Sequence, residues 1–153
     1  MSESITFTIP GKPTPWRRIG GARRNYDSQR AIKDEIGWLC KTARFVIPIT
    51  GKGIIDLFCD GPVSVKAYFY FPRPRTTARK QINDYPYPDI DPDIDNCVKL
   101  ILDSLNGIAW VDDNQVVSIQ ARKLYALEPS QARSVVRITP MNQSEHPVKW
   151  LHS

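Results

Sequence analysis

The chain has 153 residues, 41% hydrophobic and 10% aromatic, which suits one domain with a substantial core rather than two. Its 21 Lys and Arg against 16 Asp and Glu leave a formal charge of +5, which points to an anionic partner. No apolar run approaches the length of a membrane span, and the N-terminus lacks the basic-then-apolar layout of a signal peptide, so a cytoplasmic protein is expected.

Ile5, Phe7 and Ile9 alternate with Thr6 and Thr8, the period of a half-buried strand, and Pro10-Gly11 closes it. Residues 12–26, KPTPWRRIGGARRNY, set Arg17, Arg18, Arg23 and Arg24 around a Gly-Gly pair. This composition suits a loop that follows phosphates, with Trp16 and Tyr26 available to stack on exposed bases; packing of Trp16 on the core is the competing reading. From Ser28 as N-cap, Ile32, Ile36, Leu39, Cys40 and Ala43 form the stripe of an amphipathic helix lying on a sheet. Its polar face carries Arg30, Lys33, Lys41 and Arg44, either a DNA-facing surface or simply a wet one.

Residues 46–61 contain Pro48, Gly51, Gly53 and Gly61 and read as a connection with at most one short strand. The clearest strand spans 62–72, with Val63, Val65, Ala67, Phe69 and Phe71 on one face and Ser64, Lys66, Tyr68 and Tyr70 on the other. A loop rich in Pro, Tyr and Asp follows, carrying Arg73, Arg75, Arg79 and Lys80, and is well placed to grip a nucleic-acid strand. Further along, 116–125 and 133–139 read as strands joined by a turn at Glu128-Pro129-Ser130. The tail from Met141 shows no periodicity, and Trp150 within it has no assignable place. Cys40, Cys59 and Cys97 are odd in number and form no C-x-x-C pair, which supports neither a disulfide framework nor a zinc ribbon and suggests core thiols. His146 and His152, the only histidines, both lie in the tail, which counts against a histidine general base and histidine-ligated zinc.

Between these elements, residues 89–113 hold seven of the sixteen acids and one base, Lys99, so that this window carries −6 and the remainder of the chain +11. Ile94, Val98, Ile101, Leu102, Leu105 and Ile108 recur at helical spacing, with Gly107 placed to end the helix. Asp93 and Asp95 stand at its start, where carboxylates meet free N–H groups and the positive end of the helix dipole. Lys99 follows Asp95 by one turn on the same surface, and Asp112-Asp113-Asn114 forms a turn that could return a third carboxylate to the helix start. Taken singly, each has an ordinary structural use as cap, surface ion pair or turn. Together, three carboxylates and an ammonium are what metal-assisted phosphodiester cleavage requires: oxygen ligands suit Mg²⁺ or Mn²⁺, and the lysine can stabilise charge on the phosphate or orient water. Asp89, Asp91, Asp93 and Asp95 would point one way in an extended chain and repel. A calcium loop is excluded, because its sixth position would be Ile94 rather than Gly and its twelfth Leu100 rather than Glu.

The block PDIDNCVKLILDSLNGIAWVDDNQVV resembles the signature of the RusA family of crossover-junction endodeoxyribonucleases, with D-x-D-N-x-x-K and D-D-x-Q-V-V at the expected separation. The resemblance covers roughly residues 5–139 and is strongest over 89–117. It implies that Asp93, Asp95 and Asp113 hold the metal, that Lys99 is catalytic, and that the protein is a homodimer. One departure is the further acid, Asp91, before Pro92; whether Asp89 and Asp91 assist the metal stays open. The expected fold is α/β (α+β): a single compact domain over residues 1–140, a mixed sheet with packed helices, followed by a C-terminal tail over 141–153. The expected function is a Mg²⁺-dependent endodeoxyribonuclease, Mn²⁺ being the other candidate ion. It would resolve Holliday junctions by paired symmetric nicks in recombination and repair, lying on the nucleoid when bound. Arg17, Arg18, Arg23, Arg24, Arg73, Arg75, Arg79 and Lys80 are the expected DNA contacts. A less selective branched or flap nuclease and a non-catalytic, metal-stabilised DNA-binding protein are the alternatives.

Overall fold

Alternate burial of Ile5, Phe7 and Ile9 makes β1 (Ile5–Pro10) a strand with one face in the core. The computed structural model describes residues 3–18, 28–75 and 86–141. Helix α1 (Arg30–Arg44) begins one residue later than Ser28 would set it, with Gln29 at the N-cap, and buries Ile36, Gly37 and Cys40. Gly37 has a steric reason: a Cβ there would lie 3.1 Å from Cδ1 of Ile108, so its absence lets the neighbouring helix approach closely.

The connection read as holding at most one short strand contains two, β2 (Phe45–Val46) and β3 (Ile55–Asp56), paired antiparallel. Each is too short for any periodicity to reveal it. This small hairpin is anchored by Arg44, whose guanidinium pairs with Asp56 at 2.6 Å and donates to the Ile108 carbonyl. Ile47, Ile49 and Ile54 project from it into solvent.

Strand β4 (Val63–Pro72) alternates as its sequence requires, and helix α2 (Ile94–Leu105) follows the acidic segment, in which the Asp91–Pro92 peptide is cis. Gly107, at φ 75°, reverses the chain after α2. A 3₁₀ turn (Asp113–Gln115) leads into β5 (Val116–Ala126), and a second (Pro129–Gln131) into β6 (Arg133–Pro140). The main sheet has the order β1-β6-β4-β5. Pairing is antiparallel at β1–β6 and β4–β6 but parallel at β4–β5, because α2 carries the chain back across one face between those strands.

Both helices cover the same face of the sheet. There Phe69, Val65, Val136, Ile138, Leu100 and Leu105 are essentially inaccessible, each contributing about 1.5–3 kcal/mol by leaving water. The buried face of α2 is rotated from the stripe expected: Cys97 and Leu100 are fully inside, whereas Ile94 and Leu102 lie at its margin. All three cysteines are buried free thiols. Burial raises the Cys40 thiol to about 12 and the Cys97 thiol to about 11. Among the described residues, no helix is long and apolar enough to cross a membrane.

Candidate active site

Asp93 occupies the N-cap of α2 with extended backbone, yet its carboxylate makes no capping hydrogen bond. Asp95 accepts from the Asn96 backbone N–H at 2.9 Å, so a first-turn donor is satisfied from residue 95 instead. Both carboxylates are exposed at the start of the helix, on the side where its first backbone N–H groups point.

Lys99 does not form the ion pair with Asp95 that one-turn spacing permits. Its ammonium lies 3.5 Å from the centre of the Trp16 ring. The Trp16 backbone N–H donates to the Asn96 carbonyl at 2.8 Å, which ties residues 13–18 to the start of α2. Gln29 fixes the other side of that segment: its Oε1 accepts from the Arg17 N–H and its Nε2 donates to the Pro15 carbonyl, both at 2.8 Å. Trp16 is therefore part-buried against the core beneath Lys99, as the packing reading had it. The same bonds hold exposed Arg17 and Arg18 near the helix start.

The acidic segment before α2 is stitched to β5. The Tyr125 N–H donates to the Pro86 carbonyl at 2.9 Å, and the Lys123 ammonium reaches the Ile90 carbonyl. At the far side of the site, Gln115 secures the Asp112-Asp113 turn. Its Oε1 accepts from the Val111 and Asp112 N–H groups at 2.8 and 3.3 Å, while its Nε2 donates to the Cys59 and Gly61 carbonyls at 3.0 and 2.9 Å. One carboxamide thus joins the turn to the chain entering β4, more than 50 residues earlier. Trp110 is fully buried beneath, with its indole N–H on Asn106 Oδ1 at 2.9 Å.

These elements enclose an open groove of about 440 Å³ between α2 and the edge strand β5. Its floor is apolar, from Ile94, Val98, Leu102, Ile119 and Ala121, and Asp95, Lys99, Asp103 and Asp113 stand along it. Asp93 lies at the helix start outside this lining. Asp103, one turn beyond Lys99, is the acid that sequence reasoning passed over; the i, i+4, i+8 series Asp95, Lys99, Asp103 was the signal available. The Asp113 carboxyl is pushed up, first by a hydrogen bond with Asp112 that favours its protonated form, then by desolvation and by the Asp112 and Asp103 charges.

Crowded carboxylates and an all-oxygen donor set fit a hard divalent cation that keeps part of its water shell. Among the described residues, no three acidic, His or Cys side chains converge as a finished ligand cage. Of the expected DNA contacts, Arg17, Arg18 and Arg75 are exposed and Arg73 is half-buried. Arg23, Arg24, Arg79 and Lys80 lie outside the described residues, as do Tyr26 and the tail from residue 142.

The family model described as Endodeoxyribonuclease RusA matches residues 10–139. A protein of Bacillus subtilis (strain 168) described as uncharacterized protein YqaN is 28% identical over 133 residues, covering 83% of this chain and 92% of its own.

Proposed function

The chain belongs to the RusA endodeoxyribonuclease family, and on that footing we propose that it is a Mg²⁺-dependent nuclease that resolves Holliday junctions by paired nicks. The observation that carries the reading is the meeting of Asp95, Lys99 and Asp113 along one groove, although they come from two segments of the chain. Asp95 and Asp113 would hold the ion, with Asp93 reaching in from the N-cap. When bound, the ion would polarise the scissile phosphate and lower the pKa of an attacking water.

The protein's own groups do the rest. Lys99 rests on an indole in a contact worth about 0.5–1 kcal/mol at an exposed site, less than the about 1.5–3 kcal/mol of a charge-assisted hydrogen bond. A phosphate oxygen near the groove therefore outcompetes Trp16, and the ammonium swings onto the charge that builds as water adds to phosphorus and a backbone P–O bond breaks. Asp103 lies beside Asp113 and keeps the local field negative, favouring a cation over a bare phosphate at that end. Two strands cut symmetrically need two related sites, so the working unit is a two-fold dimer.

The test is nicking of a four-way junction and of a linear duplex of identical sequence, with and without Mg²⁺. Metal-dependent paired nicks confined to the junction support the reading. Equal cutting of both substrates would make this a less selective nuclease, and absence of nicking at any metal concentration would leave a DNA-binding protein.

A further inference from the structure

The geometry points to a second DNA-binding surface on the open face of the sheet, opposite the helices, which grips the phosphate backbone of a duplex arm leaving the active-site groove. The inference rests on the reading that the chain acts on branched DNA.

Three adjacent strands supply the surface. Lys66 of β4 stands directly opposite Arg137 of β6, Tyr68 opposite Arg122 of β5, and Tyr70 opposite Arg133 of β6. Lys66, Tyr68, Tyr70, Arg133 and Arg137 alternate with buried neighbours, and Arg122 stands in register with Tyr68, so all project to the side the helices do not cover. No acidic residue stands at any open-face position of β1, β4, β5 or β6. A solvated sheet face needs polar residues, but it does not need one sign of charge. Opposed like charges such as Lys66 and Arg137 destabilise a sheet, and neighbouring acids would be the ordinary remedy. A polyanion laid across the face supplies that remedy from outside.

The dimensions fit. At about 4.8 Å between strands and about 3.3 Å per residue, the four cations cover roughly 10 by 13 Å, enough for several phosphates at about 3.4 Å of axial rise per base pair. The Arg133 guanidinium already lies over the Tyr70 ring, 4.1 Å from its centre, with Nη1 donating to the Gln131 carbonyl. An open depression of about 520 Å³ lies beside Lys66, and its lining includes Ile119 of the edge strand. Ile119 also lines the active-site groove, so the two surfaces meet around the β5 edge, with no helix between them among the described residues. A duplex arm can pass from the acidic groove onto the basic face by turning about a single strand.

The experiment measures junction affinity by fluorescence anisotropy from about 50 to 200 mM salt, in Ca²⁺ to suppress nicking. The parent is compared with the double variant Lys66→Gln with Arg137→Gln, and with Arg122→Gln as a second, milder substitution on an exposed edge. The double variant is expected to bind about tenfold more weakly at moderate salt and to lose about 1.8 from the log–log salt slope, two phosphate contacts' worth; Arg122→Gln should lose about 0.9. Melting temperature in DNA-free buffer should hold or rise slightly for the double variant, because a like-charge pair has been removed. Parental affinity and slope in both variants would overturn the surface while leaving the nuclease reading intact. So would a change from dimer to monomer in light scattering at unchanged intrinsic affinity, which would make this face a protein interface. A parent that binds no junction would refute the function and the surface together.

Discussion

The two faces of the central sheet differ in charge as much as in cover. The helix side presents Asp95, Asp103, Asp112 and Asp113 around the Lys99 ammonium, whereas the open side presents Lys66, Arg122, Arg133 and Arg137 without an acid among its strand positions. Concentrated acid next to DNA is a liability unless it serves chemistry, because like charges repel the substrate. Concentrated base is useful for affinity and does nothing for bond breaking. On the proposed reading the partition would separate the two tasks by the thickness of a sheet, so substitutions on the acid side should change rate and those on the basic side should change binding.

The strongest way to break that division is Asp95→Asn or Asp113→Asn. Each should reduce nicking at least about 10³-fold at any Mg²⁺ concentration, while metal-free junction affinity stays at the parental level or tightens. Nicking that persists in both variants would remove these carboxylates from the site. Lys99→Ala should cost about 10²-fold in rate with little change in cation affinity by calorimetry, since the ammonium stabilises charge and ligates nothing. Equal losses in both would instead make Lys99 a spacer between carboxylates.

A subtler test reaches the scaffold of the acid side. Gln115→Leu removes four hydrogen bonds and should lower unfolding free energy by about 2 kcal/mol in urea denaturation, with the rate falling because Asp113 is no longer held. A variant of parental stability would show that the turn is held by other means.

Smaller still is a pH effect with a definite sign. The folded Asp113 carboxyl titrates above its ordinary value, so it favours the fold while protonated and that contribution disappears as pH rises through its folded pKa. At neutral pH its ionised form works against the fold. Asp113→Asn, which retains a donor for Asp112, should therefore melt about 2 °C above the parent at pH 7 in metal-free buffer, and this gain should shrink toward pH 3. A gain independent of pH would assign it to something other than charge. The least disturbance is expected from a thiol reagent at pH 8: Cys40 and Cys97 are held protonated by burial and should react only after denaturation.

Much of this architecture was readable where one residue pattern decides one structure. The alternation of 63–72 placed Lys66, Tyr68 and Tyr70 on the face away from the core, and Gly107 marked the end of α2. Strand partners were not readable, since a period of two says which face a residue takes and not which strand lies beside it; the parallel β4–β5 pairing emerges only in three dimensions. Long-range polar partners were equally hidden. Gln115 reads locally as part of a turn, and Lys99 as the partner of Asp95, because nothing near either residue announces Cys59 or Trp16. For the candidate site, the motif named the acids but not Asp103, nor the clamp that orders Asp113.

With both ends of the Gln115 carboxamide tied, the turn at residues 112–115 is ordered when the chain folds and not when DNA or a cation arrives. Fixing one residue's backbone costs about 1–2 kcal/mol, so a loose turn of that length would subtract several kcal/mol from every binding event. Here only side-chain rotations of the carboxylates remain to be restricted. If these carboxylates hold a cation as proposed, discrimination among ions would fall to a spacing that a stiff turn enforces and a flexible one would blur.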